Sequence, residues 1–209
     1  MAVAKITRIK AQKNKKRVNI YLDGKFAFGL DADNFLKASL KVGQKLTEKQ
    51  VDDLVFKNEF QKLFNKALRL ISRRPRSEKE IRGYLKRKKS LPKLVDEVVK
   101  KLKQLKQIDD SAFASWWVDQ RTTFRPRGKF GLLMELRQKG IDKIIIEKAI
   151  NKVDELPLAT KLAQKKLKVY KNLPRAEFYQ KMSAYLARRG FSWETIRKVV
   201  AALSAAKPR

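Results

Sequence analysis

The chain has 209 residues, of which 52 are lysine or arginine and 21 are aspartate or glutamate, so its formal net charge is +31. A protein this basic repels its own copies and is typical of chains that bind a polyanion. It contains no cysteine, which excludes disulfides and thiolate metal sites, and no histidine, which removes the commonest general base and metal ligand. No apolar run reaches the roughly 18 residues that span a bilayer. We therefore expect a cytoplasmic protein with no membrane contact and no cofactor.

Within the first 57 residues, a pattern typical of β-strands comes first and is followed by a helical pattern. Residues 17–22 alternate between polar and apolar types, Asp23-Gly24 favours a type I′ turn, and residues 25–28 resume the alternation. Residues 4–10 predict an earlier strand, which matters because an isolated hairpin is only marginally stable in water. The pattern predicts a small β-meander or hairpin, a short helix over residues 31–40, and a helix that Thr47 and Gln50 open with a capping box.

The rest of the chain repeats one short pattern at an interval of about 50 residues: residues 85–89 (LKRKK), 136–140 (LRQKG) and 186–190 (LARRG). Each copy lies near the C-terminal end of a helical pattern and begins with an apolar residue, the anchor leucine (Leu85, Leu136 or Leu186), which we expect to be buried. A second amphipathic segment follows each copy, which is the signature of stacked helical units. We predict a mainly α-helical fold in which three tandem three-helix repeats form an elongated array behind the β-extension. The predicted boundaries are 1–57 for the extension and 58–106, 107–155 and 156–209 for the repeats.

Helix signals subdivide each repeat. In the first, an apolar run over residues 60–71 ends before Pro75, Ser77 and Glu80 form a second capping box, and Pro92 begins the third helix. In the second, Asp109 or Asp110 caps a helix, a loop occupies residues 122–129, and helices follow over 130–139 and 142–153. The third repeat begins near residue 158, is broken at Pro174, and continues with helices over 177–189 and after the capping residue Ser192.

Glycine at positions 140 and 190 favours the left-handed conformation that ends a helix. The first repeat has Lys89-Ser90 at this point, from which we predict a slightly longer turn between its second and third helices. Gly128 and Gly131 do not form a phosphate-binding loop, because no Gly-Lys-Ser/Thr follows a strand.

Basic residues are concentrated on the middle helix of each repeat or on the segment before it. Residues 73–89 contain nine basic and two acidic residues, residues 121–139 six and one, and residues 161–189 nine and one. Stacking the repeats would align these clusters into a basic track that suits a phosphate backbone. The alternative is that lysine and arginine simply coat exposed helix faces, in which case a net charge near neutrality is expected.

The aromatic and acidic residues are mainly interpreted as structural. Trp117 shares a helix face with Phe113 and is predicted to be buried. Trp116, Phe124 and Tyr84 are more exposed candidates for base stacking, although packing between repeats is favoured for each. The Asp109-Asp110 pair precedes an apolar helix, so capping is favoured over metal binding. The sequence contains no catalytic constellation, and we expect a protein that is not an enzyme.

Several segments resemble the RecX family, whose members modulate the RecA recombinase. The resemblance is carried by residues 74–81 (RPRSEKEI) with 85–88 (LKRK), 108–114 (IDDSAFA), 127–131 (RGKFG) and 135–141 (ELRQKGI). Residues 18–28 (VNIYLDGKFAF) resemble the β-extension of longer members. The family fold is three tandem three-helix repeats, in agreement with the repeat period.

The resemblance implies a negative regulator of RecA in homologous recombination, DNA repair and the SOS response. Such a protein lies in the groove of the filament that RecA forms on single-stranded DNA, and it inhibits ATP hydrolysis and strand exchange. We expect the protein to be a monomer whose partners are this filament and single- or double-stranded DNA. The candidate binding residues are Arg74, Arg76, Arg82, Arg87, Lys88, Arg125, Arg127, Lys129, Arg137, Arg188 and Arg189.

Two other functions remain open. A charge of +31 exceeds what inhibition of a protein filament requires, so the chain is alternatively a nonspecific DNA-binding protein that masks DNA. Three-helix units also resemble helix-turn-helix domains, but the lack of an obvious dimerisation segment disfavours sequence-specific repression. A carboxylate-metal nuclease is the weakest alternative. Loss of RecA inhibition in excess DNA would separate DNA masking from filament binding.

Overall fold

A computed structural model describes residues 3–13, 15–170 and 172–205, which form four β-strands and ten α-helices. The described chain divides into two compact units. The first contains the residues up to Arg74 together with Arg82–Gln107, and the second contains Pro75–Ile81 together with the residues from Ile108 onward. The predicted fold class is confirmed, since a small N-terminal sheet precedes three successive sets of three helices.

The sheet of the first unit is antiparallel with strand order β3-β2-β1-β4. Its strands are β1 (Val3–Ala11), β2 (Arg17–Leu22), β3 (Lys25–Asp31) and β4 (Lys45–Thr47). Asp23 and Gly24 have φ values of 46° and 84°, as the predicted type I′ turn requires. The predicted meander is therefore confirmed. The sequence did not predict β4, because its three residues are too few to show an alternating pattern.

Two helices complete the first core. α1 (Ala32–Ala38) ends at Ser39, which has a left-handed φ of 48°. α2 (Glu48–Ile71) begins with the predicted capping box, in which Thr47 and Gln50 satisfy each other's backbone N–H groups. Ile6, Ile20 and Leu30 are fully buried between the sheet and these helices.

α2 joins two apolar runs that the sequence suggested were separate. It is one helix of 24 residues, and the predicted boundary between residues 57 and 58 lies inside it. Asn58 is buried at this point, where its Oδ1 accepts from the N–H of Asp31 (2.8 Å) and its Nδ2 donates to the carbonyl of Gly29 (3.1 Å). A polar side chain therefore fastens the middle of α2 to the end of β3.

α3 (Glu78–Lys86) and α4 (Pro92–Gln104) follow α2. Ile81 and Leu85 of α3 are fully buried, and α4 buries an apolar stripe of Leu94, Val95, Val98, Val99 and Leu102.

The predicted longer turn after α3 is wrong. Each anchor leucine precedes the N-terminal capping residue of the next helix by the same interval, from Leu85 to Leu91, from Leu136 to Asp142 and from Leu186 to Ser192. Lys89 itself takes the left-handed conformation (φ 56°) that Gly140 and Gly190 take in the other repeats (φ 79° each).

The second unit contains α5 (Asp110–Phe124), α6 (Lys129–Gln138), α7 (Lys143–Asn151), α8 (Glu155–Tyr170), α9 (Arg175–Ala187) and α10 (Trp193–Ala205). The loop predicted to begin at Thr122 begins three residues later, because the steric effect of Pro126 reaches only the residue before it, Arg125. α8 begins at Glu155, earlier than predicted, since Pro157 is tolerated in a first helical turn. One core surrounds Leu132 and Leu136, and another surrounds Met182 and Leu186.

Candidate functional site

The repeated motif places a buried leucine immediately before basic surface residues. Leu85, Leu136 and Leu186 have no exposed surface. Arg87 and Lys88 follow the first leucine on the surface, Arg137 follows the second, and Arg188 follows the third. Since the leucine side chain fixes the rotation of each helix, it also fixes the direction of the basic residues after it.

The candidate residues differ in how much of each side chain is exposed to solvent. Arg87, Lys88, Arg125, Arg137 and Arg188 are exposed, whereas Arg74, Arg76, Arg82, Arg127, Lys129 and Arg189 are half-buried. Arg82 donates to Asp96 (2.5 Å), so it is less accessible than a fully exposed arginine. Arg74, Arg82, Arg87 and Lys88 belong to the first unit and the other seven to the second. A continuous basic track through all of them stays a prediction.

The structure brings the start of α6 against the end of α9. The N–H of Gly128 donates to the carbonyl of Arg189 (3.1 Å), and the N–H of Gly131 donates to the carbonyl of Gly190 (3.4 Å). A Cβ at Gly128 would lie 2.2 Å from the carbonyl oxygen of Gly190. These glycines therefore permit a close backbone approach between helices, which explains the Gly-Lys-Phe-Gly segment without a phosphate loop.

An analogous contact occurs one repeat earlier in the second unit. The hydroxyl of Ser77, which caps α3, donates to the carbonyl of Lys139 (2.8 Å). Ser77 corresponds to Gly128, and Lys139 lies three residues after its anchor leucine, as Arg189 does after Leu186. The start of α3 thus contacts the end of α6, and the start of α6 contacts the end of α9. We call these two places the repeat junctions.

A shallow groove with mixed apolar and basic lining runs beside the second repeat junction, and its walls include Arg127, Phe130, Met134 and Arg188. Phe130 is 65% exposed and Met134 is 41% exposed. The guanidinium of Arg127 reaches both the carbonyl of Arg188 (3.5 Å) and the Oε1 of Glu135 (3.2 Å). Its position at the groove is therefore held from two sides.

Trp117 is half-buried against Phe113 and is surrounded by charged groups. Its Nε1 donates to Glu135 (2.9 Å), whose same Oε2 accepts from Nε of Arg121 (2.7 Å). The guanidinium of Arg121 lies 4.5 Å from the Trp117 ring centroid, and the ammonium of Lys139 lies 4.9 Å from it. These cation–π contacts use part of the basic charge to stabilise the fold. The prediction that Trp117 is a core residue is only partly met.

Glu155 is a buried carboxylate that joins three elements. Its Oε1 accepts from the N–H of Lys129 (2.6 Å), and its Oε2 accepts from the N–H of Ser192 (3.1 Å) and the hydroxyl of Thr195 (3.2 Å). Burial by itself raises the pKa of this carboxyl, but the hydrogen bonds from Ser192, Lys129 and Thr195 outweigh it and hold the pKa below its ordinary value. Glu155 is therefore a charged structural residue.

Asp109 and Asp110 both act at helix starts. Asp109 accepts from the N–H groups of Ser111 (2.7 Å) and Ala112 (3.1 Å), as predicted for a cap of α5. Asp110 instead accepts from the N–H of Glu78 at the start of α3 (2.9 Å). Within residues 3–13, 15–170 and 172–205, no cluster of three or more acidic side chains is arranged to hold a metal ion. In that same part of the chain, no helix is long and apolar enough to cross a membrane.

The exposure of several apolar side chains was not predicted from the sequence. Phe130 and Met134 lie four residues apart on α6, out of phase with the buried pair Leu132 and Leu136. This phase difference was readable in the sequence. Phe124, for which packing between repeats was favoured, is 71% exposed. Trp116 and Tyr84 are half-buried, with Trp116 packed 5.8 Å from Phe113 between ring centroids.

These observations define a class of protein: an α-helical repeat protein with a basic surface and an N-terminal β-sheet. Models of the regulatory protein RecX N-terminal domain and of the first, second and third RecX three-helix domains match residues 4–47, 64–102, 109–150 and 154–200. The chain therefore belongs to the RecX family of regulatory proteins.

Individual relatives agree with this assignment. The chain is 37% identical over 195 residues to regulatory protein RecX of Bacillus subtilis (strain 168), covering 91% of this chain and 74% of that protein. It is 35% identical over 194 residues to regulatory protein RecX of Listeria monocytogenes serovar 1/2a, covering 91% and 72%. A crystal structure of regulatory protein RecX superposes with a TM-score of 0.73 at 33% identity, over 95% of this chain and 99% of that one. RecX from Lactobacillus salivarius gives 0.63 at 25% identity, over 70% and 97%.

Proposed function

We propose that this protein is a negative regulator of RecA that binds the RecA–single-stranded DNA filament and inhibits its ATPase and strand-exchange activities. Membership of the RecX family implies regulation of RecA. The observation that carries the finer proposal is the recurrence of the repeat junction, at Ser77–Lys139 and again at Gly128–Arg189. Successive repeats joined in the same way present equivalent residues at a regular interval. A partner built from identical protomers offers equivalent sites at a regular interval too.

The proposed contact residues are the basic side chains identified from the sequence: Arg74, Arg76, Arg82, Arg87, Lys88, Arg125, Arg127, Lys129, Arg137, Arg188 and Arg189. Arginine suits this role because its planar guanidinium binds a carboxylate or a phosphate through two hydrogen bonds. Arg87, Lys88, Arg137 and Arg188 are the best candidates, because all four are exposed and each follows an anchor leucine. Arg137 and Arg188 are the two of these that belong to the second unit. Phe130 and Met134 add apolar area to the adjoining groove, which favours a protein surface as its partner.

We further propose that the protein acts by binding rather than by catalysis, as a monomer in the cytoplasm, in homologous recombination, DNA repair and the SOS response. Its family is one of regulatory proteins. Inhibition would follow if one molecule spans neighbouring RecA protomers, because it would then oppose the motion between protomers that accompanies ATP turnover.

A second candidate function is nonspecific binding to single- or double-stranded DNA, which would block RecA by masking its substrate. The net charge of +31 favours this alternative. Affinity of that origin falls steeply with salt, because each phosphate contact releases a condensed counterion. The two functions therefore differ in whether the protein recognises the filament or the DNA within it.

Retention on beads tests the proposal directly. Biotinylated single-stranded DNA is immobilised either bare or coated with RecA in the presence of a nonhydrolysable ATP analogue, and excess free duplex DNA is added to both. Filament binding predicts that the protein stays on the RecA-coated beads and is removed from the bare ones. Equal removal from both kinds of bead would contradict filament recognition and favour DNA masking.

A further inference from the structure

The sheet of the first unit has one face on the core and one face towards solvent. Ile20 and Phe28 are paired across β2 and β3 and are almost fully buried, so their side chains define the core face. Arg8 is paired with Tyr21, and Tyr21 is paired with Phe26. Directly opposed residues of antiparallel strands share one face, and neighbouring residues alternate between faces except at a β-bulge. The register shifts between Ile20 and Tyr21, which leaves Ala27 without a partner on β2 and moves Phe26 to the face opposite Phe28. Arg8, Tyr21 and Phe26 therefore form a row on the face opposite the core.

The two rings of this row form an aromatic pair in which Phe26 is exposed and Tyr21 is half-buried. The ring centroids of Tyr21 and Phe26 lie 5.9 Å apart at an interplanar angle of 78°. Phe26 is 59% exposed, although burying a phenylalanine is favourable. The guanidinium of Arg8 lies 5.8 Å from the Tyr21 ring centroid, so a cation flanks the pair.

The next row on this face is small and polar. It consists of Lys10, Asn19 and Gly29, paired across β1, β2 and β3. Lys10 is exposed. A Cβ at Gly29 would lie 3.2 Å from Nη2 of Arg17, so a side chain there would crowd the face beside the rings. We call the two rows together the aromatic sheet face.

The charge around the aromatic sheet face is strongly positive. Residues 1–31 contain eight basic and two acidic residues. Both acidic residues already have partners, since Asp23 accepts from the N–H of Lys5 (3.0 Å) and Asp31 lies 3.4 Å from Nε of Arg17. Lys25, next to Phe26, is exposed. The face therefore attracts anions while it offers two rings for stacking.

We propose that the aromatic sheet face is a binding site for single-stranded nucleic acid. Tyr21 and Phe26 stack on bases, and Arg8, Lys10 and Lys25 contact the phosphates. Stacking on side chains requires unstacked bases, so the site discriminates against duplexes. An acidic protein would satisfy the charges but would leave the aromatic pair without a specific partner. The proposal does not depend on binding to RecA.

The full-length protein tests this proposal through three matched variants. The Tyr21→Leu/Phe26→Leu double variant keeps apolar side chains on the strands and removes both rings. Arg8→Glu/Lys10→Glu changes the charge on the same face. Lys37→Glu/Lys41→Glu makes an equal charge change at exposed lysines on or just after α1, which packs on the core face through Phe35 and Ala38. Circular dichroism confirms that each variant retains its fold.

Binding is measured by fluorescence anisotropy with labelled oligothymidylate, oligouridylate and a DNA duplex, in enough salt to suppress general charge effects. We expect the leucine variant to bind both single strands about tenfold more weakly than the parent and the duplex equally well. The Arg8/Lys10 variant should lose more affinity than the Lys37/Lys41 control. The two single-strand probes show whether DNA or RNA is preferred, and either preference supports the site.

Photocrosslinking locates the contact, because the rest of the chain is also basic. An oligonucleotide carrying iodinated pyrimidines should crosslink to the peptides that contain Tyr21 or Phe26. The proposal is overturned if crosslinks occur only outside residues 3–31. It is also overturned if a folded leucine variant binds single strands as tightly as the parent, or if the Lys37/Lys41 control loses as much affinity as the Arg8/Lys10 variant.

Discussion

The backbone N–H of Lys129 donates a 2.6 Å hydrogen bond to the carboxylate of Glu155. Lys129 is the first residue of α6, and Glu155 is the first residue of α8, the opening helix of the next repeat. The N–H of Glu78, first in α3, donates in the same way to Asp110, first in α5. Beside each repeat junction, an acidic residue therefore accepts a hydrogen bond from a backbone N–H at the start of a middle helix, where the helix itself supplies no acceptor.

Replacing Glu155 with glutamine should lower the free energy of unfolding at neutral pH by about 1.5–3 kcal/mol, as expected for hydrogen bonds to a buried charged group. The pKa of Glu155 is below its ordinary value of 4.5 because donated hydrogen bonds outweigh the effect of burial. A lowered folded-state pKa means that the contribution is complete above the unfolded-state pKa and is lost as the pH falls through the folded-state pKa.

Urea denaturation at neutral pH and at successively lower pH values measures this difference. The difference in the free energy of unfolding between the parent protein and Glu155→Gln should disappear as the solution is acidified below pH 4.5. Glu147→Gln is the matched control, because Glu147 is an exposed carboxylate whose nearest paired ammonium, that of Lys143, is 3.8 Å away. An equal destabilisation by Glu155→Gln across the whole pH range would show that the charge of Glu155 is not what stabilises the junction.

Alanine at Gly128 should destabilise the second unit. A Cβ there would lie 2.2 Å from the carbonyl oxygen of Gly190 and 2.4 Å from the Cα of Phe191, and backbone atoms cannot move aside cheaply. Overpacking of this kind costs about 1–3 kcal/mol. Thermal denaturation followed by circular dichroism provides the measurement.

Gly83→Ala is the control for Gly128→Ala, since it should act in the opposite direction. Gly83 lies inside α3, and the nearest atom to a Cβ there is Nη1 of Arg87 at 3.7 Å. Alanine in an unstrained helix stabilises by about 0.5–1 kcal/mol relative to glycine. If Gly128→Ala and Gly83→Ala shifted the midpoint of thermal denaturation in the same direction, the close backbone approach at Gly128 would not explain the effect of Gly128→Ala.

Glycine at Lys89 should stabilise the turn between α3 and α4. Lys89 has a φ of 56°, a conformation that costs a residue with a Cβ about 1–2 kcal/mol and costs glycine nothing. Glycine also gives the unfolded chain more conformational entropy, which offsets part of this effect. We therefore expect the free energy of unfolding to rise by about 0.5–1 kcal/mol. Chemical denaturation measures it, and Lys86→Gly, at the last residue of α3, should instead lower the free energy of unfolding. A loss from Lys89→Gly would mean that the lysine side chain stabilises the turn.

Much of the fold was predictable because it depends on local patterns. The repeated motif predicts that its leucines are buried. The prediction is confirmed, because Leu85, Leu136 and Leu186 have no exposed surface. The glycines after two of them are confirmed as left-handed helix ends. Lys89 shows the limit of this reasoning, because the backbone keeps the same conformation without glycine and the turn does not lengthen.

The remaining features depend on contacts between distant residues. Asn58 attaches the middle of α2 to β3 through its side-chain hydrogen bonds, and hydrophobic periodicity does not predict such a bond. The roles of Asp110 and Glu155 likewise depend on the middle helices of the preceding repeats. For the candidate residues, the sequence did not predict which of them are half-buried, nor that Arg82 and Arg127 have partners within the protein.

Charge reversal at Arg137 and Arg188 tests the proposed binding residues. Both side chains are exposed, so glutamate at the two positions should leave the helical content unchanged. We expect the concentration needed to inhibit the ATPase of RecA to rise about tenfold, the factor that corresponds to a loss of about 1.4 kcal/mol of binding free energy. Lys148→Glu/Lys152→Glu makes the same charge change at exposed positions outside the candidate set. An equal effect from this control would mean that only net charge matters.

We propose that the protein recognises the RecA filament rather than bare DNA. The most direct test of this proposal is to titrate the protein into the single-stranded-DNA-dependent ATPase reaction of RecA, with and without excess free DNA. Filament recognition predicts inhibition at well below one molecule per RecA protomer, with a curve that the added DNA leaves unchanged. Inhibition that begins only near saturation of the DNA, and that the competitor relieves, would contradict the claim and show that the protein masks the DNA.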